Sequence, residues 1–91
     1  MKGANLHDFL VISSVTDDML KNKYKITIRE ASNYHTLRKR LCEKSIKGLI
    51  SSQEQILLVA LNVVLDSDSK LNESLYKKAE NIILNMIEVV Y

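Results

Sequence analysis

The chain is expected to be all-α, an antiparallel up-and-down bundle of four helices, and three observations carry that expectation. Proline is absent and only two glycines occur, Gly3 and Gly48, whereas an all-β chain of 91 residues needs many tight turns. From Ile56 to Leu65 only Asn62 interrupts an apolar run, so this segment has no side to offer to water and belongs at the centre of the domain. Its start is marked by Ser51 with Glu54 three residues on, the spacing of a capping box, and Ser52 with Gln55 repeats it. The valines at 59, 63 and 64 keep a buried strand in view, but the caps favour helix. The run is too short to span a membrane, which takes about 20 apolar residues.

The elements follow in order. Phe9, Ile12, Val15 and Met19 recur at helical spacing within Asn5–Lys21. A competing reading pairs Phe9–Val15 with Tyr24–Ile28 as a β-hairpin packed on three helices, because Tyr24, Ile26 and Ile28 alternate with Lys25 and Thr27. On the helical reading, residues 22–29 form an extended connection, partly buried through alternate side chains. Ser32–Lys47 is the second helix, with Ser32 or Asn33 as N-cap. Tyr34, Leu37, Leu41, Ser45 and Ile46 fall on one side, and Glu43 with Lys47 makes an i,i+4 pair. Gly48 suits the left-handed position after the helix, and Leu49 and Ile50 are expected to turn into the core. The central helix is third. After the polar break at 66–70, Asn72 caps the fourth, with Leu71 and Tyr76 as a hydrophobic staple and Glu73 pairing with Lys77. Its core stripe is Leu75, Ala79, Ile82, Met86 and Val89, widened by Ile83, Ile87 and Val90.

Length and composition describe one domain over residues 1–91 with an aliphatic core: 46% of residues are hydrophobic and five are aromatic. One cysteine, Cys42, leaves no internal disulfide and fits a reducing cytoplasm. The first residues, MKGANLHDFLVISS, lack the apolar core and cleavage site of a signal peptide, so a cytoplasmic protein is expected.

Charge is uneven. Residues 1–48 hold ten Lys or Arg against five acids, +5, and residues 49–91 hold three against six, −3. The densest cationic cluster is Arg38, Lys39, Arg40, Lys44 and Lys47, with Arg40, Lys44 and Lys47 aligned on one helix face. Such a face is either solvated and matched to the helix dipole or turned to an anion: a membrane surface or a nucleic acid. Tyr34 is its only aromatic, which argues against nucleic acid, and the apolar helix that follows does not suit a DNA groove.

Chemistry-bearing patterns are few. His7 and His35 stand alone, and Cys42 has no readable partners, so neither a metal site nor a nucleophile is indicated. Asp66-Ser67-Asp68 imitates the start of a calcium loop, but Leu71 and Lys77 stand where glycine and glutamate belong. Asp17-Asp18 reads as a turn or helix end. No phosphate-binding loop or nucleophile elbow occurs, so the sequence predicts no enzyme and no cofactor.

Over roughly residues 34–90 the chain resembles the pediocin-like (class IIa) bacteriocin immunity proteins. The resemblance lies in YHTLRKRL opening a cationic helix, QILLVALNVVL as an apolar one, and KLNESLYKKAENIILNMI as the last. It implies a small cytosolic four-helix bundle of Gram-positive bacteria that protects the producing cell without catalysis. Such proteins are thought to block the pore formed by the bacteriocin and a mannose-type sugar permease, from the cytosolic side. Arg38, Lys39, Arg40, Lys44 and Lys47 would then lie near anionic lipid, and Tyr76, Lys77, Asn81, Asn85 and Glu88 on the last helix would recognise the partner. The alternatives are a phage- or plasmid-encoded regulator that binds nucleic acid or protein through the basic face, and a helical oligomerisation module.

Overall fold

Two capping boxes of the same design set where helices begin. The computed structural model describes residues 6–20, 23–66 and 73–90. At Ser51 the Glu54 backbone N–H donates to the serine hydroxyl, and the Ser51 N–H donates back to the Glu54 carboxylate. This starts α4, Ser52–Asp66, the central helix, in which Leu57 to Leu61 and Val63 are buried. At Thr27 the same exchange with Glu30 starts α2, Ile28–Ser32, a five-residue helix that the expected extended connection did not include. Its end, Asn33, is in turn the N-cap of α3, Tyr34–Ile46, accepting the N–H groups of His35 and Thr36. A turn with two such caps back to back lets the chain change direction without stranding backbone donors.

Gly48 closes α3 as its pattern predicts. Its φ is +72°, Leu49 N–H donates to the Lys44 carbonyl and Gly48 N–H to that of Ser45, the two bonds of a Schellman motif.

The first segment is helical but shorter than expected. α1 runs Leu6–Ser14, Val15 is buried just beyond it, and a 3₁₀ turn follows at Asp17–Leu20, where the paired aspartates stand. Met19, expected inward, is exposed, and Leu20 packs against the core instead.

Strand periodicity at Tyr24 is real but its partner is not Phe9–Val15. β1, Tyr24–Thr27, pairs in parallel with β2, Ile87–Val90, in the register Tyr24 to Ile87 and Ile26 to Val89. This overturns the hairpin. It also ends α5 at Met86 (Glu73–Met86), so Ile87, Val89 and Val90 do not extend the helix stripe. Three of the four residues of β2 are β-branched and its burial alternates, which suits a pleated strand. The inner face of this two-stranded sheet carries Tyr24, Ile26, Ile87 and Val89 against the core. Among the described residues, then, the protein is mainly helical, with five helices and two short strands.

The core is aliphatic and centred on α4, which packs against α1, α3 and α5, while α1 also meets α5 and α2 meets both strands. Ile12, Leu37, Leu41, Leu57, Leu61, Ile83 and Met86 are completely or almost completely buried. Leu75, Ala79, Ile82 and Met86 face inward as their spacing predicts. Leu49 does not: it is 68% exposed, and Ile46 on α3 is 86% exposed. Glu43 and Lys47 form no ion pair, whereas Glu73 and Lys77 do, at 3.0 Å. The proposed cap at Asn72, the staple at Leu71 and the polar break beyond Asp66 lie outside the described residues.

Candidate functional site

The cationic face of α3 is largely spent inside the domain. Glu30 and Glu54, the reciprocating carboxylates of the two capping boxes, are buried at 7% and 6% exposure. Each is matched by a cation one turn apart on α3: Arg40 bonds Glu30 at 2.6 Å, and Lys44 bonds Glu54. A carboxylate so far from water needs a partner, since an unpaired buried charge costs several kcal/mol. Arg38 reaches the other end of α4, bonding Asp66 at 2.5 Å, where the cation also offsets an acid placed at a helix C-terminus. One helix thereby ties the starts of α2 and α4 and the end of α4. Lys44, expected to project from the solvent face, is half-buried, and Arg38 likewise. Of the basic cluster, Lys39, Arg40 and Lys47 are exposed, Arg40 while bonding Glu30, and Lys39 and Lys47 with no ion pair among the described residues.

Electrostatics follow this arrangement. Burial pushes the Glu54 carboxyl up, but the Lys44 ammonium and the Ser51 N–H and hydroxyl outweigh it and hold the group at about 2. Glu30 is lowered in the same way, its burial outweighed by the Thr27 backbone and by Arg40. The bond to Glu30 in turn raises Arg40. Tyr24 stacks under the Arg40 guanidinium, 5.9 Å from ring centroid to Cζ. Its buried hydroxyl lies toward the Glu54 carboxylate without a hydrogen bond of full geometry. Burial, with Glu54 and Glu30 adding to it against Arg40, raises the phenol above its ordinary value.

Glu54 binds its proton more weakly folded than unfolded, so its contribution to stability is complete above the ordinary carboxylate value of 4.5 and is lost as pH falls toward 2. Acid titration followed by circular dichroism is expected to show stability declining across that window. Glu54→Gln should lower stability at neutral pH and flatten the decline.

The α5 residues are placed differently. Asn81 and Asn85 are exposed and line a cleft of about 250 Å³ between α5 and the segment Val15–Leu20, floored by Val15, Leu20 and Ile82. It adjoins a second recess of about 320 Å³ shared by Asp17, Leu20, Lys23 and Asn85. Lys78 donates to the Ser13 carbonyl at 3.1 Å and Lys23 to that of Asn85, so both ammonium groups brace the cleft walls. Tyr76 is half-buried, and exposed Lys77 is paired with Glu73. Glu88 is not on the helix: it stands on the outer side of β2, opposite Lys25 in register. Leu84, passed over by the stripe analysis, is 63% exposed between Asn81 and Asn85. Its position off the core spacing of 75, 79, 82 and 86 is the signal that marks it.

Among the described residues no three His, Cys, Asp or Glu side chains are grouped to hold a metal ion, and no helix is long and apolar enough to cross a membrane. His7 and His35 are exposed and Cys42 is half-buried as a free thiol. The arrangement offers the side-chain amides of Asn81 and Asn85 at a cleft, and on the same helix an exposed leucine, Leu84, that is not part of the cleft lining. No family model, curated protein or solved structure matches the chain.

Proposed function

We propose that this protein is a non-catalytic binding protein of the bacteriocin immunity type, protecting a cell from within. It acts in the cytoplasm on a membrane-embedded sugar permease engaged by a pediocin-like peptide. On this reading α1, α3, α4 and α5 serve as the four members of an antiparallel bundle, and α5 carries recognition through Asn81, Asn85, Tyr76 and Lys77. The observation that supports it best is the contrast between the two candidate faces. Arg38, Arg40 and Lys44 are occupied by Asp66, Glu30 and Glu54, while Asn81 and Asn85 stand open at a cleft and Leu84 is exposed on the same helix. A face of amides around an exposed leucine suits a protein partner, because polar groups fix register and the apolar contact supplies affinity.

The same contrast weakens the nucleic-acid alternative, since phosphate binding draws on several free cations at once. The test is expression in the cytoplasm of a bacterium sensitive to class IIa peptides. Resistance to at least one such peptide is the expected result, with no effect when the protein is added outside. Tight, salt-sensitive binding to DNA or RNA without protection would establish the alternative.

A further inference from the structure

We propose that the turn between α3 and α4 is a lipid-inserting tip, in which Ile46 and Leu49 enter the interfacial layer of an anionic membrane while Lys47 holds the headgroups. Five successive residues, Ser45 to Leu49, are exposed, and a side chain added at Gly48 would meet nothing within 4 Å, so the turn stands clear of the rest of the domain. Its two large aliphatic side chains are 86% and 68% exposed. Both stand at positions whose local pattern directs them inward, and surface exposure of such groups leaves a favourable transfer unrealised. The turn does not wobble freely: the Schellman bonds to Lys44 and Ser45 fix it, with Gly48 supplying the left-handed residue.

Shape selects the occupant. A protein partner needs roughly 800 Å² of matched surface on each side, which two exposed aliphatic side chains on one turn do not present. A bilayer deforms around such a turn and accepts it. Charge agrees: Lys47 sits between the two aliphatics, and Lys39 lies two turns back on the same side as Ile46. Both are exposed without an ion pair among the described residues, with Glu43 the acidic neighbour. Lysines beside inserted aliphatic side chains are the pairing that anionic interfaces favour. The membrane contact is thereby assigned to the tip and not to the Arg38–Lys44 stripe. It goes beyond the immunity reading and stands without it, because vesicle binding is measured apart from cell protection.

The test uses the full chain with vesicles of phosphatidylcholine alone or mixed with phosphatidylglycerol. The chain has no tryptophan, so Leu49→Trp provides a single reporter at the tip. Its emission is expected to shift to the blue on adding phosphatidylglycerol vesicles, and co-sedimentation should weaken severalfold as salt rises to physiological strength. Ile46→Ser with Leu49→Ser should weaken that co-sedimentation at least about tenfold. The melting temperature should hold, because both side chains already lie in water. Three results would overturn the proposal: no binding of the unaltered chain to phosphatidylglycerol vesicles, undiminished binding by the serine variant, or absence of the blue shift. A dimer of the unaltered chain that the serine variant converts to monomer would also overturn it, identifying a second copy as the occupant.

Discussion

Val59→Asp is expected to unfold the domain or to lower its melt by tens of degrees. Val59 lies in the middle of α4 at 3% exposure, flanked by Leu58 at 6% and Ala60 at 0%. The three helices α1, α3 and α5 all pack on α4, so a side chain at this point has nowhere to reach water. A carboxylate placed there is either ionised without a partner or protonated out of its range, at a cost of several kcal/mol. Domains of this kind have about 5–15 kcal/mol in total, so the substitution consumes most of it. Circular dichroism at 222 nm should show either loss of helix at room temperature or a melt lowered by tens of degrees. Gln55→Asp, at an exposed position of the same helix, should change stability by about 0.5 kcal/mol or less. A Val59→Asp protein melting within a few degrees of the parent would remove α4 from the centre of the fold.

Arg40→Gln combined with Lys44→Gln has the second largest expected effect, and it separates structural from exposed cations. Each substitution leaves a buried glutamate without its ion partner. Exposed pairs contribute up to about 1 kcal/mol, and breaking a fully buried one costs about 3–5. With the carboxylates buried and the cations half in water, about 2 kcal/mol for each is the expected scale. Together that is a fall in melting temperature of upward of about 15 °C for a domain this small. Lys39→Gln with Lys47→Gln removes the same charge from the exposed positions and should leave the melt nearly unchanged. The gap between the two variants should narrow as pH falls from 4.5 toward 2, because Glu30 and Glu54 protonate more readily once their cations are gone.

What the sequence could show follows from which interactions are local. The Ser51–Glu54 box, the Asn33 cap and Gly48 depend on residues within four positions of each other, and each is legible as a pattern. The Thr27–Glu30 box obeys the same rule and marks α2, but the strand period running through Tyr24, Ile26 and Ile28 masks it. That period was a true strand signal, yet the partner of Tyr24 is Ile87, and nothing short-range records a pairing across 63 residues. At the other end, Ile87, Val89 and Val90 satisfy a helix stripe and a strand equally, so the boundary after Met86 rests on the tertiary pairing with β1. The cations of α3 were visible as a cluster, but the acids that bind them sit ten residues to either side for Arg40 and Lys44 and 28 away for Arg38. A charge pattern alone therefore does not tell a free face from an engaged one. On α5, Asn81 and Asn85 stood out by sequence, whereas the cleft they line is made by Val15–Leu20 and exists only after folding.

Cell protection through the α5 face is the most direct test of the proposed function. Survival of a peptide-sensitive bacterium should be compared at equal folded abundance for the unaltered chain and for a variant carrying Asn81→Ala, Asn85→Ala and Leu84→Ser. These side chains are exposed, and the carbonyl of Asn85 that accepts Lys23 is unaffected by the change. The unaltered chain should raise resistance to at least one class IIa peptide, and the triple variant should lose at least about tenfold of it, an amount matched by one or two hot-spot contacts. Full protection by the triple variant, or none by the folded unaltered chain across a broad panel of such peptides, would contradict the proposed function.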